Sequence, residues 1–200
     1  MTDRPPFAAV VLAGGKSARL GGQHKPQLEV GGRTMLAAVL AAVEHAAPRV
    51  VVGPPQPVPD GVLLVREQPP RGGPVPALRA GLAAVDAEVV AVLAADLPFL
   101  TADLVDALAT ELVGRGSSDG VLVVDGAGRD QYLLGVWRTA TLRAAVGAVH
   151  GPTSMRALLT PLAVHRHRPT PVAGRPVPWT DCDTPAELAR ARAAAPRPAD

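Results

Sequence analysis

Two hundred residues with 20 Lys plus Arg, 18 Asp plus Glu and 48% hydrophobic side chains make one domain of ordinary size, with enough apolar material for a core. A formal charge of +2 with acids and bases interspersed gives no basic face, and so no footprint for a nucleic-acid backbone. The single cysteine excludes an internal disulfide and a cysteine-based metal site, and no apolar run approaches the roughly 20 residues of a membrane helix, so a soluble cytoplasmic protein without nucleic-acid or membrane partners is expected.

Phe7 to Leu12 (FAAVVL) is a short apolar run that ends in Gly14 and Gly15, the pattern of a strand buried on both faces and then a loop. Leu28 and Val30 before Gly31-Gly32 predict a small hairpin, and Met35, Leu36, Val39, Leu40 and Val43 recur with helical spacing between Thr34 and Ala46. Val50 to Val52 is the next strand, GPPQPVPDG (residues 53–61) a loop too rich in proline for regular structure, and Val62 to Val65 a third strand. Leu78, Gly81, Leu82 and Val85 mark a helix face, and Val89 to Leu93 is a fourth strand that stops at Asp96. A helix from Thr101, its N-cap, to about Val113 follows. Asp119 to Val124 and Gln131 to Trp137 flank Gly126-Ala127-Gly128 as a hairpin added to an otherwise parallel order. Helical patterns at 142–149 and 154–159, a weak strand near Val164 and a helix from Pro185 complete the chain. Residues 7–195 are expected to be a single domain, between disordered ends at 1–6 and 196–200. Strand and helix in alternation predict an α/β fold with one doubly wound, mixed but mostly parallel sheet, whose ligands sit beyond the carboxyl ends of its strands.

Three loops at those ends carry groups suited to chemistry. LAGGKSARLGGQHK (residues 12–25) follows the first strand; its glycines let backbone N–H groups turn toward an anion, and Lys16, Arg19 and Lys25 supply charge. Lys16 and Lys25 are the only lysines in a chain that uses Arg everywhere else, which points to a need for a compact ammonium here. The loop is neither a P-loop nor a G-x-G-x-x-G dinucleotide fingerprint. LAADLP (residues 93–98) puts Asp96 after a wholly apolar strand, where a carboxylate suits a magnesium ion; Thr101 is the better cap for the next helix. In WTDCDTPAEL (residues 179–188), Thr184 and Glu187 form a capping box with Pro185 at the first helical position. Asp183 is therefore free to share magnesium with Asp96, while Cys182 turns away as a small buried hydrophobe. Asp181 shares a side with Asp183 and is the alternative second metal ligand. His165 and His167 alternate along an edge strand and read as exposed side chains rather than metal ligands, and Ser17 has no base that would make it a nucleophile.

The LAGG-x-S-x-R opening of the first loop, with its following glycines and Lys25, resembles the signature of nucleotidyltransferases with a nucleotide-diphospho-sugar transferase fold. GGPVPAL (residues 72–78), strand-ending Asp96 and DCDTPAEL (residues 181–188) resemble the branch that makes molybdenum cofactor guanine dinucleotide, the molybdenum cofactor guanylyltransferases. The resemblance covers nearly the whole chain and implies Mg2+-dependent transfer of GMP from GTP to the phosphate of molybdopterin or molybdenum cofactor, releasing pyrophosphate. It implies that Leu12, Ala13, Gly14 and Gly15 bind base and ribose through their backbone, that Arg19 and Lys25 grip phosphates, and that Asp96 binds magnesium. Gly53 stands where the family often has a nucleotide-contacting Asn, and Glu67 where it has an Asp. The LAGG form points to guanine over cytosine. The acceptor phosphate is already ionised and needs no general base, so catalysis reduces to alignment and charge neutralisation by Arg19, Lys25 and a cation on Asp96. The alternatives are a cytidylyltransferase or sugar-1-phosphate nucleotidyltransferase of the same fold, or a non-catalytic nucleotide-binding relative; the intact Arg19, Lys25, Asp96 and Asp183 argue against the last. Transient contacts with proteins that supply or receive the cofactor are also implied.

Overall fold

The computed structural model describes residues 4–14, 24–70 and 72–196. Strand β1 (Ala8–Leu12) is followed by a two-residue-per-strand hairpin, β2 (Glu29–Val30) and β3 (Arg33–Thr34), and by helix α1 (Met35–Ala42). Then come β4 (Arg49–Val52), β5 (Val62–Val65), α2 (Pro74–Leu82), β6 (Val89–Ala94) and α3 (Ala102–Gly114). The second half holds β7 (Gly120–Val124), β8 (Asp130–Arg138), α4 (Thr139–Gly147), α5 (Met155–Leu159), β9 (Val164–His167) and α6 (Pro185–Ala194).

Seven strands form one sheet in the order β5-β4-β1-β6-β8-β7-β9. β1 pairs in parallel with β4 and β6, and β4 with β5; β8 alone runs against its neighbours. The sheet is α/β, mixed and mostly parallel, as its alternating elements imply. The expected hairpin exists, but its second strand is inserted between β6 and β7. A glycine makes that pairing possible: a side chain on Gly120 would begin 2.1 Å from the ring of Trp137, its cross-strand partner, so the indole lies where a side chain would be. Trp137 is fully buried as a result.

The alternation of apolar residues along each strand builds a core on both faces. Ala9 and Val11 of β1 join Leu36, Val39, Leu104, Val105 and Leu108 of α1 and α3 on one face. Ala8, Val10 and Leu12 join Leu78 and Leu82 of α2 and Leu142 and Val146 of α4 on the other. Two helices differ from their predicted bounds. α1 ends at Ala42 rather than Ala46, giving way to turns before Pro48, and α4 starts at Thr139, directly after β8, rather than at Leu142. Thr139 is tied to the edge of the preceding layer by its N–H, which donates to the Glu88 carbonyl. Thr101 and Ser154 cap α3 and α5 by accepting from Leu104 and Ala157 N–H groups. Arg4, within the stretch expected to be disordered, lies 3.1 Å from Asp106 of α3.

Candidate active site

The carboxyl ends of β1, β4, β5 and β6 point the same way, and their following loops converge. The Ala13 N–H donates to the Val52 carbonyl at 2.8 Å, the Gly53 N–H to the Val65 carbonyl at 3.0 Å, and the Ala95 N–H to the Leu12 carbonyl at 3.2 Å. These bonds continue the parallel ladder one step beyond the strands and fix the loops relative to one another. Leu12 and Ala13 are buried while Gly14 is exposed at the mouth. Gly53 is a glycine for a packing reason: a side chain there would begin 3.0 Å from the Ala13 carbonyl group and 3.2 Å from Gln56 Nε2. Glu67 is buried, 7% exposed, with Oε1 4.0 Å from the point where a side chain on Gly14 would begin. The structure thus brings Gly14, Gly53 and Glu67 together. Gly15, Lys16 and Arg19 lie outside the described residues.

Lys25 opens a short 3-10 turn, Lys25–Gln27, and its ammonium sits between two carboxylates from distant parts of the chain. It donates to Asp96 Oδ2, just beyond β6, and to Asp183 Oδ1 at 2.5 Å, just before α6. Lys25 and Asp96 are sheltered, whereas the Asp183 side chain is 58% exposed. Burial alone would lower the Lys25 pKa, but the charge of Asp96 and the hydrogen bonds to Asp183 and Asp96 outweigh it and the net shift is upward.

Asp183 is held in place by its neighbours in sequence. Cys182 is fully buried in a small cluster with Val30, Met35, Leu188 and Ala191, formed where the β2–β3 hairpin, α1 and α6 meet. Asp181 and Asp183 are exposed on either side of that buried anchor, the in-and-out order that the alternation predicts. Burial, with the nearby charge of Asp96 added to it, pushes the Cys182 thiol up to about 11, so it is an inert core group. The predicted capping box is formed: Thr184 accepts from the Glu187 N–H, and Glu187 accepts from the Thr184 N–H at 2.8 Å. Asp183 takes no part in it. Desolvation, followed by the charges of Asp183, Asp96 and Glu187, raises the Asp181 pKa. Of these two aspartates it is Asp183 that meets Asp96 across Lys25.

Two carboxylates gripping one ammonium form an oxygen donor set suited to a hard divalent cation, which takes one or two carboxylates and fills its remaining positions with phosphate oxygens and water. Among the described residues no three His, Cys, Asp or Glu side chains are grouped to hold a metal by themselves. On the far side of Asp183 a cleft of about 570 Å³ lies between the β7–β8 turn and residues 177–187. Gln131, Arg129, Trp179 and Asp181 line it, and Asp183 stands at its border. Asp125 shapes its floor by accepting from the N–H groups of Ala127 and Arg129, the Arg129 guanidinium and the Gln131 amide. These bonds, that from the Arg129 backbone foremost, keep the Asp125 pKa low.

Several of these residues escaped sequence reasoning. Gln27 and Gln56, hydrogen-bonded at 3.1 Å beside Gly53, carry no motif. Asp125 before Gly126 was a legible signal for an Asx turn, but Trp179 was not legible as a cleft wall. Asp130 is engaged by the Arg166 guanidinium in a two-pronged bond at 2.9 Å, and Ser154 is a helix cap. His165 and His167 are not the exposed pair expected. They flank Glu111 of α3, His165 Nε2 at 3.0 Å and His167 Nδ1 at 2.8 Å, because β9 lies alongside the helix end rather than open to solvent on that face.

Residues 9–170 match the family described as the MobA-like NTP transferase domain. A protein of Rhodobacter capsulatus named "Molybdenum cofactor guanylyltransferase" is 31% identical over 193 residues, covering 92% of this chain and 94% of that protein. A Mycobacterium tuberculosis H37Rv protein named "Probable molybdenum cofactor guanylyltransferase" is 38% identical over 144 residues, 68% of this chain and 70% of its own. Among solved structures, the molybdopterin-guanine dinucleotide biosynthesis protein A of Archaeoglobus fulgidus superposes with a TM-score of 0.71 over 93% of this chain and 97% of that one; at 17% identity it shows a shared fold. No helix among the described residues is long and apolar enough to cross a membrane. The chain belongs to the MobA-like NTP transferase family and is a nucleotidyltransferase.

Proposed function

We propose that the protein transfers GMP from GTP to the terminal phosphate of molybdopterin, or of molybdenum cofactor, with magnesium as the cation. The observation that carries this is the meeting of Asp96, just beyond β6, and Asp183, just before α6, on the Lys25 ammonium, together with the Gly14–Gly53–Glu67 mouth. The names of the relatives supply the guanylyl group and the acceptor. The backbone of Leu12 to Gly14 and the glycine at 53 form a wall that a flat base and ribose can approach closely. Lys25 and Arg19 neutralise phosphate charge, and Asp96 and Asp183 would hold the magnesium, which would supply Lewis-acid polarisation and charge screening at the α-phosphate. The acceptor enters through the cleft bounded by Arg129 and Trp179, so that one of its phosphate oxygens faces the α-phosphorus in line with the leaving group. A new bond forms from that oxygen to the α-phosphorus. The bond to the β-phosphate oxygen breaks, and its electron pair leaves with pyrophosphate, so no protein base is required.

The test is pyrophosphate release from each of the four nucleoside triphosphates with magnesium and purified molybdopterin. GTP should support turnover well above the other three. Asp96→Asn and Asp183→Asn should raise the magnesium requirement, while Asp181→Asn should leave it nearly unchanged. Equal turnover with all four triphosphates would refute the guanine assignment, and a raised requirement in Asp181→Asn alone would move the second cation ligand to Asp181.

A further inference from the structure

The place between Asp96 and Asp183 is filled by a cation that belongs to the chain. Lys25 lies 71 residues from Asp96 and 158 from Asp183, so the three meet only because the fold closes over them. Its ammonium touches one oxygen of each carboxylate, on loops that are otherwise anchored independently: Asp96 at the end of a core strand, Asp183 through buried Cys182 and the α6 capping box. Without a positive charge between them, the repulsion of the Asp96 and Asp183 carboxylates would push these two loops apart. A lysine is also the right size: a compact ammonium on a flexible four-carbon stem can stand in for a metal and then leave, which a planar guanidinium cannot do in the same space. This chain retains lysine at only two positions, and Lys25 is one of them.

We infer that Lys25 is a built-in placeholder for the divalent cation, bridging Asp96 and Asp183 until the metal and nucleotide arrive and then turning its freed ammonium to the nucleotide phosphates. The inference rests on the reading of Asp96 and Asp183 as the cation ligands. Two consequences follow. The metal alone should bind poorly, because it must displace an ion-paired ammonium that then lacks a partner. Metal and nucleotide together should bind cooperatively, because the phosphates offer that ammonium a new counter-charge.

The test measures binding of Mn2+, which suits the same oxygen ligands, to the full chain without nucleotide, by the electron paramagnetic resonance of the free ion. Lys25→Met should bind Mn2+ about tenfold or more tightly than the unaltered protein, since it removes the competing charge and leaves both carboxylates. Adding Asp183→Asn to Lys25→Met should abolish the gain. Equal or weaker binding by Lys25→Met overturns the placeholder but leaves the carboxylates as ligands. Binding by neither protein overturns the assignment of Asp96 and Asp183 as well. A second measurement needs no variant at position 25: with [13Cε,15Nζ]lysine the chain shows two side-chain signals, assigned with Lys16→Arg. The Lys25 signal should move when Mg2+ and GTP are added together, and a Lys25 signal unmoved at saturation overturns the inference.

Discussion

Gly81 offers a stringent test of how the sheet and the site are coupled. It lies in α2 against the sheet, and a methyl group there would stand 2.5 Å from Val10 Cγ1 and 2.9 Å from Val52 Cγ2. Attractive carbon–carbon contacts sit at about 3.5–4.0 Å, so the overlap is severe. Neither valine can yield, because both are fully buried and their branched side chains have little freedom at χ1. Gly→Ala in an open helix gains about 1 kcal/mol from propensity, whereas overpacking a tight core costs about 1–3 kcal/mol and more where nothing can move. Gly81→Ala should therefore be destabilising by about 2 kcal/mol net. For a chain of this length that lowers Tm by roughly 4–8 °C. Gly147→Ala, at the end of α4 where an added methyl meets nothing within 4 Å, is the control and should be neutral or slightly stabilising. Urea titrations followed by far-UV circular dichroism, with thermal melts beside them, would read both variants. Because Val10 and Val52 lead into Leu12–Gly14 and Gly53, lifting α2 should also weaken nucleotide binding, which the control should not do. A Gly81→Ala protein as stable as the unaltered chain would refute the close-packing argument.

Gly53→Asn restores the side chain that the family often carries, yet its Cβ would press on the Ala13 carbonyl group at 3.0 Å. It should cost about 1–2 kcal/mol and weaken GTP protection in a thermal-shift titration; tighter binding would show that the loop can open at little cost. Glu111 is the other test. Burial works to raise its pKa, but the hydrogen bonds from His167 and Arg115 and the charge of His165 prevail and hold it below the ordinary range. A depressed folded-state pKa contributes stability that is present above the unfolded value of about 4.3 and is lost as pH falls through the lower folded value. Glu111→Gln should thus be about 1 kcal/mol less stable than the unaltered protein at pH 7, with the gap closing toward pH 3. An undiminished gap in urea titrations at pH 3 would refute this linkage.

What was legible in the sequence follows from which interactions are local. The capping box at Thr184 and Glu187, the Thr101 cap and the alternation around Cys182 depend on residues within a few positions of one another, and the structure forms all three. Asp96 was legible because a charge that directly follows a wholly apolar strand stands out. The insertion of β8 between β6 and β7 was not, because it depends on Trp137 lying over Gly120 and on the competition among strand edges, neither of which leaves a periodic mark. The Glu111 cluster escaped for the same reason: His165 and His167 show the spacing of an edge strand, but their partner comes from a helix 56 residues before His167.

The strand order then explains why the chemistry gathers where it does. From β1 the chain moves outward to β4 and β5 on one side, then returns across β1 to β6 on the other. The connection that leaves β1 runs toward β4 and the one that leaves β6 runs toward β7 on the other side, so the carboxyl ends of β1 and β6 form the switch point at which open α/β sheets take their ligands. β1 lies between β4 and β6, both parallel to it, on the two sides of that reversal. The glycine loop must therefore follow β1, the close approach of Gly53 must follow β4, and the cation carboxylate Asp96 must follow β6. Asp183 reaches the same crevice without belonging to the sheet at all. It is delivered by α6, whose Leu188 and Ala191 pack with Cys182 against Val30 and Met35, the hairpin and helix start that lie just beyond Lys25. The segment after β1 thus brings Lys25 and, through that small cluster, also positions the carboxylate that Lys25 meets.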